Sequence, residues 1–264
     1  MEIRLLEQDK EKDKLSFLLK GVNTAFANML RTNMIERVPV LSIEDVEFRK
    51  NSSVLYDEII SHRLGLIPIK TDLKSYNLPH ECSCKGKGCV KCTLKMTLTA
   101  NGPSVVYSGK IKSKDPKAQP IFDKIPITKL SKGQSLRLEA VAVMGIGREH
   151  AKWSPALVYY RYKPVIEITK NPSNVDDYVN VCPVNVYENK KGQLLINKDN
   201  LLKCHLCGAC TDIENSVIKL NEKDDEFIFY VESWGQLSCK EIVTEALTIT
   251  KKQVEGFIDE LKKK

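Results

Sequence analysis

The chemistry available to this 264-residue chain is concentrated in its nine cysteines. Four stand within eleven residues, Cys82, Cys84, Cys89 and Cys92. Three more follow the pattern C-x2-C-x2-C at Cys204, Cys207 and Cys210, with Cys182 upstream and Cys239 alone. Grouped cysteines in a chain with no secretory leader suggest metal ligation before disulfides, although hyperthermophile proteins are an exception that would allow one group to be oxidised. In the first group Gly86 and Gly88 let the loop close round a tetrahedral ion, which favours structural zinc on four sulfurs, with paired disulfides as the alternative. Closed zinc sites usually join two C-x2-C knuckles, and the Cys82-x-Cys84 end departs from that pattern. His80, close by, reads as a surface residue.

The second group suits iron and sulfide better than zinc. Two-residue gaps let one wrapping loop present three sulfurs, and the small Gly208 and Ala209 allow close backbone approach. Cys182-Pro183 supplies the remote fourth sulfur, because in two-cluster ferredoxins a Cys-Pro cysteine completes a distant triplet. Val181-Cys182-Pro183, then Ile196-Asn197, then the Cys204–Cys210 loop looks like half of a ferredoxin repeat with a short hairpin between. Glu214 stands where a full ferredoxin run would continue with cysteine, so one cluster at most is expected. The triplet alone supports [3Fe–4S], and Cys182 is needed for [4Fe–4S]; zinc or free thiols remain the alternative. A lone site has no relay partner in the chain, which favours a structural role.

Composition excludes more than it assigns. Lys and Arg number 41 against 34 Asp and Glu, a net charge of +7 spread along the chain, which permits nucleic-acid contact without arguing for it. No basic recognition helix is visible, so DNA contact is expected only indirectly. No apolar run approaches the roughly 20 residues of a membrane span, and the chain reads as cytoplasmic with no membrane partner. There is no Gly-rich phosphate loop, no Gly-x-Ser-x-Gly elbow and no aspartate triplet for catalytic magnesium. His62, His80, His150 and His205 lack motif-grade partners, and no catalytic residues are expected on this chain.

The elements that must carry the cysteines are α+β. Strands are predicted at Glu2–Glu7 and Lys14–Lys20 around a polar loop, then a helix capped by Asn23 or Thr24 that buries Phe26, Met29, Leu30, Met34 and Val38 and ends before Pro39. Short β runs follow at Leu94–Thr99, Val105–Ile111 and Leu136–Val143. Two more are expected at Val158–Tyr162 and Val165–Thr169, and another at Phe227–Glu232. Asn171 to Asn174 reads as a linker, and Lys262-Lys263-Lys264 as a frayed end. Ser238 with Glu241 forms a capping box for a C-terminal helix, whose Val243, Leu247, Thr250, Val254, Phe257 and Leu261 trace an apolar seam, widened by Ile242, Ala246 and Ile258. A helix of about six turns must bury that seam, on its own domain or on a partner.

Phe17 to Arg31 (FLLKGVNTAFANMLR) followed by Glu36 to Ile43 (ERVPVLSI) resembles the signature region of the α-type subunits of multisubunit RNA polymerases. Three further blocks occur in family order: Asp57 to Pro68 (DEIISHRLGLIP), Glu149 to Pro155 (EHAKWSP) and Phe227 to Gly235 (FIFYVESWG). Together they span nearly the whole chain. The family holds bacterial α, the third-largest subunit of eukaryotic polymerase II and their archaeal counterparts, some of which carry a ferredoxin-like domain. The match is best to the archaeal branch. The resemblance implies an α-subunit-type dimerisation domain built from residues 1–40, 154–170 and 222–264. Residues 41–153 would form a mostly β insertion subdomain and 171–221 a ferredoxin-like iron–sulfur domain.

By the same likeness, the first helix, with Phe26, Leu30 and Arg31, and the C-terminal helix, with Val243, Leu247, Val254, Phe257 and Leu261, would pack against a smaller L-type subunit. The heterodimer would be a non-catalytic platform for a small zinc-bearing subunit and the second-largest catalytic subunit. Arg31, His62 and Arg63 lie in motifs that face those partners or form local contacts. The first cysteine group lies where the eukaryotic relative holds zinc, with a loop that differs by a residue. The competing function is a ferredoxin-like electron-transfer or redox-sensing protein, which accounts for Cys182 to Cys210 and leaves the other motifs unexplained.

Overall fold

A computed structural model describes residues 1–213 and 215–263. Glu214, where the ferredoxin run stops short, and Lys264 of the basic terminus lie outside the described residues. The chain opens with β1 (Glu2–Asp9), β2 (Lys14–Lys20) and α1 (Thr24–Glu36). A mainly β stretch follows: β3 (Val40–Asn51), α2 (Asp57–Gly65), β4 (Thr93–Asn101), β5 (Ser104–Tyr107), β6 (Lys112–Ser113), β7 (Pro126–Leu130) and β8 (Ser135–Gly145). Then come β9 (Ala156–Ile168), α3 (Val175–Val181), β10 (Tyr187–Lys190), β11 (Gln193–Ile196), β12 (Ile218–Ser233) and α4 (Cys239–Lys262). These elements make a mixed α/β chain, and no described helix is long and apolar enough to cross a membrane.

Two compact units are built from interleaved stretches: Met1–Glu7, Ser16–Asn28 and Tyr159–Tyr230 form one, and Gln8–Leu15, Met29–Val158 and Val231–Lys264 the other. The first unit holds a sheet in the order β1-β2-β12-β9. Aromatic side chains weld its strands: Phe17 of β2 stacks on Phe229 of β12 at 5.0 Å, and Tyr160 and Tyr162 of β9 reach Phe227. The expected strands at Val158–Tyr162 and Val165–Thr169 are one strand, β9, which runs through Pro164. Its place at the sheet edge explains that, since an edge strand loses nothing when one residue has no N–H to donate. Likewise β12 begins at Ile218, nine residues ahead of the expected Phe227. Within the added stretch Ile218 is buried and Leu220 half-buried, but Asn221 to Asp225 are solvent-exposed and carry no apolar alternation to betray the strand.

In the second unit β3, β8, β4 and β6 form a sheet in that order, with β5 and β7 as a separate pair. The alternation in β4 turns Leu94, Met96, Leu98 and Ala100 inward, and β8 does the same with Leu136, Leu138, Ala140 and Ala142. Ile60 and Leu64 of α2 and Ile127 and Leu130 of β7 complete that core. The strand expected over Val105–Ile111 stops at Tyr107, because Ser108–Lys110 turns as a short 3-10 helix whose Ser108 hydroxyl accepts from the Ile125 N–H at 3.1 Å. Trp153 is buried flat against Gly145, where any side chain would strike the indole, and Lys152 lies over the ring and hydrogen-bonds the Ile43 carbonyl at 3.0 Å.

Helix α4 begins at the expected capping box: the Ser238 N–H donates to Glu241 Oε2 at 2.9 Å, and the Ser238 hydroxyl accepts from the Glu241 N–H at 3.3 Å. Asp13 adds a second anchor, its Oδ1 accepting from the Cys239 N–H at 3.2 Å while its carbonyl accepts from the Cys239 thiol at 2.9 Å. Cys239 is therefore a buried structural thiol, pushed up to about 12 by burial and by Asp13.

Candidate functional site

The segment between α2 and β4 carries the first cysteine group as a loop held by short-range backbone hydrogen bonds, among them Lys85 N–H to Cys82 O at 2.8 Å and Cys92 N–H to Cys89 O at 3.0 Å. Gly86 and Gly88 adopt φ of +77° and +83°, a backbone that folds the loop back on itself and disfavours any other residue. The result is a cage: Cys82, Cys84, Cys89 and Cys92 bring their sulfurs within 4.8 Å of one another. Cys82 and Cys89 sulfurs are 3.5 Å apart, as are those of Cys84 and Cys92, with Cys89 and Cys92 at 3.8 Å. These are contacts between thiols, far outside the roughly 2.0 Å of a disulfide bond. A tetrahedron of thiolates at zinc distance has edges of about 3.8 Å, so the cage fits a single zinc ion.

Electrostatics inside the cage divide the thiols. Burial opposes ionisation of Cys84, but hydrogen bonds from Cys92, Cys82, Cys89 and the Gly88 N–H outweigh it and bring its thiol down to about 6. Burial pushes Cys92 up to about 12. A divalent cation held by the four sulfurs would favour their thiolate forms. His80 points outward and pairs loosely with Glu81 at 3.8 Å, outside the cage.

The second cysteine group has a different geometry. Cys182 ends α3, Cys204 follows a 3-10 turn at Leu201–Lys203, and Cys210 ends the loop after Gly208, whose φ is +80°. The expected hairpin between them is the β10–β11 pair, in which Tyr187 faces Ile196. All four sulfur-bearing residues line one cavity, together with Tyr187 and a hydrocarbon wall that includes Val184, Val186 and Leu220. Unlike the first group they are not gathered into a single-ion cage. Cys204 and Cys210 are buried, and burial raises both thiols, while Cys207 is exposed. The Val186 N–H donates to Cys182 Sγ at 3.3 Å. Convergent cysteines, a positive-φ glycine and an amide donor to sulfur are the local requirements of an iron–sulfur site, and the residues fit such a group.

An arginine that the sequence did not flag holds this loop. Arg161 of β9 donates from Nη1 to the Lys203 carbonyl at 3.0 Å and from Nη2 to the Leu202 carbonyl at 2.8 Å, the two residues before Cys204. It also bonds the Tyr230 hydroxyl and lies 4.9 Å over that ring. Nothing local marks Arg161, since its partners lie about 40 and 70 residues away.

The expected interface residues divide. Leu30 lies in the chain's own core at 2% exposure, because α1 turns that face inward, and Phe26 is half-buried. Arg31 is half-buried and touches the Thr32 hydroxyl. On α4 the stripe covered by this chain is Ile242, Ala246 and Thr250, with Val243 and Leu247 half-buried beside it. Thr250 accepts from the Asn33 side chain of α1 at 2.8 Å, a buried polar clamp between the two helices. From Lys251 onward every described residue of α4 is exposed, including Val254, Phe257 at 63%, Ile258 and Leu261 at 59%. His62 and Arg63 end α2 at the surface, where Arg63 donates to the Pro126 carbonyl at 2.6 Å.

Residues 42–156 match the model of the RNA polymerase Rpb3/RpoA insert domain. The DNA-directed RNA polymerase subunit Rpo3 of Archaeoglobus fulgidus is 41% identical, with 96% of this chain and 95% of that protein covered. The chain belongs to the Rpo3 family. Rpo3 of Methanosphaera stadtmanae is 36% identical with 98% of both chains covered, and Rpo3 of Pyrococcus horikoshii 34% identical over 100% and 98%. The residues matched to the insert domain cover the cysteine cage, β4 to β8 and all of β3 but its first two residues.

Proposed function

We propose that this chain is the non-catalytic assembly subunit of a DNA-directed RNA polymerase, pairing with a smaller L-type subunit to form the platform on which the small zinc-bearing and second-largest subunits assemble in transcription. Full-length kinship to Rpo3 subunits supports membership of the enzyme. The observation that carries the pairing is the end of α4, where Val254, Phe257, Ile258 and Leu261 form an apolar stripe that no described residue covers. Burying such side chains against a partner stabilises by about 1.5–3 kcal/mol each before the cost of association.

In this reading residues 1–40, 154–170 and 222–264 make the dimerisation domain, 41–153 the insertion and 171–221 the ferredoxin-like domain. Cys182, Cys204, Cys207 and Cys210 would hold one iron–sulfur cluster, which stabilises the loop that Arg161 ties to β9. Cys82, Cys84, Cys89 and Cys92 would hold zinc. Both groups are structural. The test is co-expression with the L-type subunit, followed by measurement of stoichiometry, iron, zinc and sulfide. A one-to-one complex holding iron, sulfide and zinc is expected. An iron-bearing monomer indifferent to the L-type subunit would instead favour an electron carrier.

A further inference from the structure

Tyr178 and Tyr187 are both buried in the cysteine-bearing core of the first unit, each 3% exposed, and their rings meet edge to face at 6.5 Å. Their hydroxyls differ. That of Tyr178 accepts from the Val217 N–H at 3.1 Å. That of Tyr187 is fully buried with no hydrogen-bond partner among the described residues. Tyr187 lines the cavity with the four cysteines, and its hydroxyl lies within electrostatic reach of the Cys210, Cys204 and Cys182 thiols.

Native folds rarely leave a buried hydroxyl unpaired, because its desolvation then goes uncompensated. The ring has little freedom to escape. Tyr187 opens β10 and is held in register opposite Ile196, and Tyr178 packs against it. A water would need two to four polar partners, whereas the wall around the sulfurs is largely hydrocarbon, Val184, Val186 and Leu220 among it. What would complete this site is an acceptor that arrives with the sulfurs.

Resting on the iron–sulfur reading above, we propose that Tyr187 donates its hydroxyl hydrogen to a sulfur of the bound cluster and thereby sets its reduction potential. Hydrogen bonds to cluster sulfurs disperse negative charge and favour the reduced form, so the hydroxyl holds the potential up. The experiment uses the full-length chain purified anaerobically with its cluster, in three forms: wild type, Tyr187→Phe, and the chain with 3-fluorotyrosine at position 187, whose more acidic hydroxyl is a stronger donor. Iron and sulfide are assayed, and the midpoint potential is read by EPR-monitored titration.

Equal cluster content is expected, with a more negative potential in Tyr187→Phe and a less negative one in the fluorinated chain. Three equal potentials at full cluster content would overturn the role of Tyr187 and leave the cluster standing. Wild-type protein without iron or sulfide would overturn both. If Tyr187→Phe fails to fold, the near-isosteric fluorotyrosine decides alone: an unchanged potential overturns the proposal and an upward shift supports it.

Discussion

A tetrahedral zinc site needs four thiolates at once, and the cage of Cys82, Cys84, Cys89 and Cys92 starts with its protons unevenly held. Loading it must therefore expel protons, and affinity must fall as pH falls. Competition with a chromophoric chelator should show zinc held more weakly at pH 6 than at pH 8. Cys92→Ser should weaken binding by more than about 100-fold, as removal of a ligand costs more than removal of its supporting shell. Zinc content unaffected by that change would remove zinc from the cage. In the other group, Cys204→Ser should lower iron content and thermal stability together; assembly unchanged with only redox behaviour altered would argue against a structural cluster. The gathering of Cys82, Cys84, Cys89 and Cys92 was legible in the sequence because those residues are local, whereas Cys182 stands far ahead of Cys204 and was marked only by the proline after it. Tyr187 and Asn33 were not legible, because what matters about them is which distant atom they face. An unpaired phenol and a buried amide look ordinary in a string of letters.

Helix α4 was legible from its first turn, since Ser238 and Glu241 state the cap and the apolar period states the rest. The sequence left open where the seam would be covered, and the structure divides it at Thr250. The Asn33 to Thr250 hydrogen bond is buried, so Asn33→Ala should cost about 1–3 kcal/mol in urea denaturation, and less than that when Thr250 is already valine, although the Thr250 hydroxyl also donates to the Ala246 carbonyl at 2.8 Å. Additive losses would show that the two side chains do not act as a pair. Beyond Thr250 the logic reverses. Phe257→Asp should leave the chain's own melting transition unchanged while weakening pairing with the L-type subunit by at least about tenfold, the equivalent of 1.4 kcal/mol, measured by analytical ultracentrifugation. Strand β12 extends past its sequence signal because backbone pairing carries it through Asn221 to Asp225, whose exposed side chains do not alternate.

At the scale of the molecule, neither compact unit is a continuous stretch, and motif order along the chain could not reveal how the pieces interleave. Strand β2 ends at Lys20 and its neighbour β12 starts at Ile218, a junction tied further by the Gly21 N–H donating to the Asp225 carbonyl at 2.8 Å. During synthesis at about 5–20 residues per second, the β1–β2 hairpin must wait on the order of 10–40 s for the strand it lies against. Until then Phe17 has no Phe229 to stack on. A ribosome that stops midway therefore leaves a nascent chain without the sheet of the first unit and without helix α4.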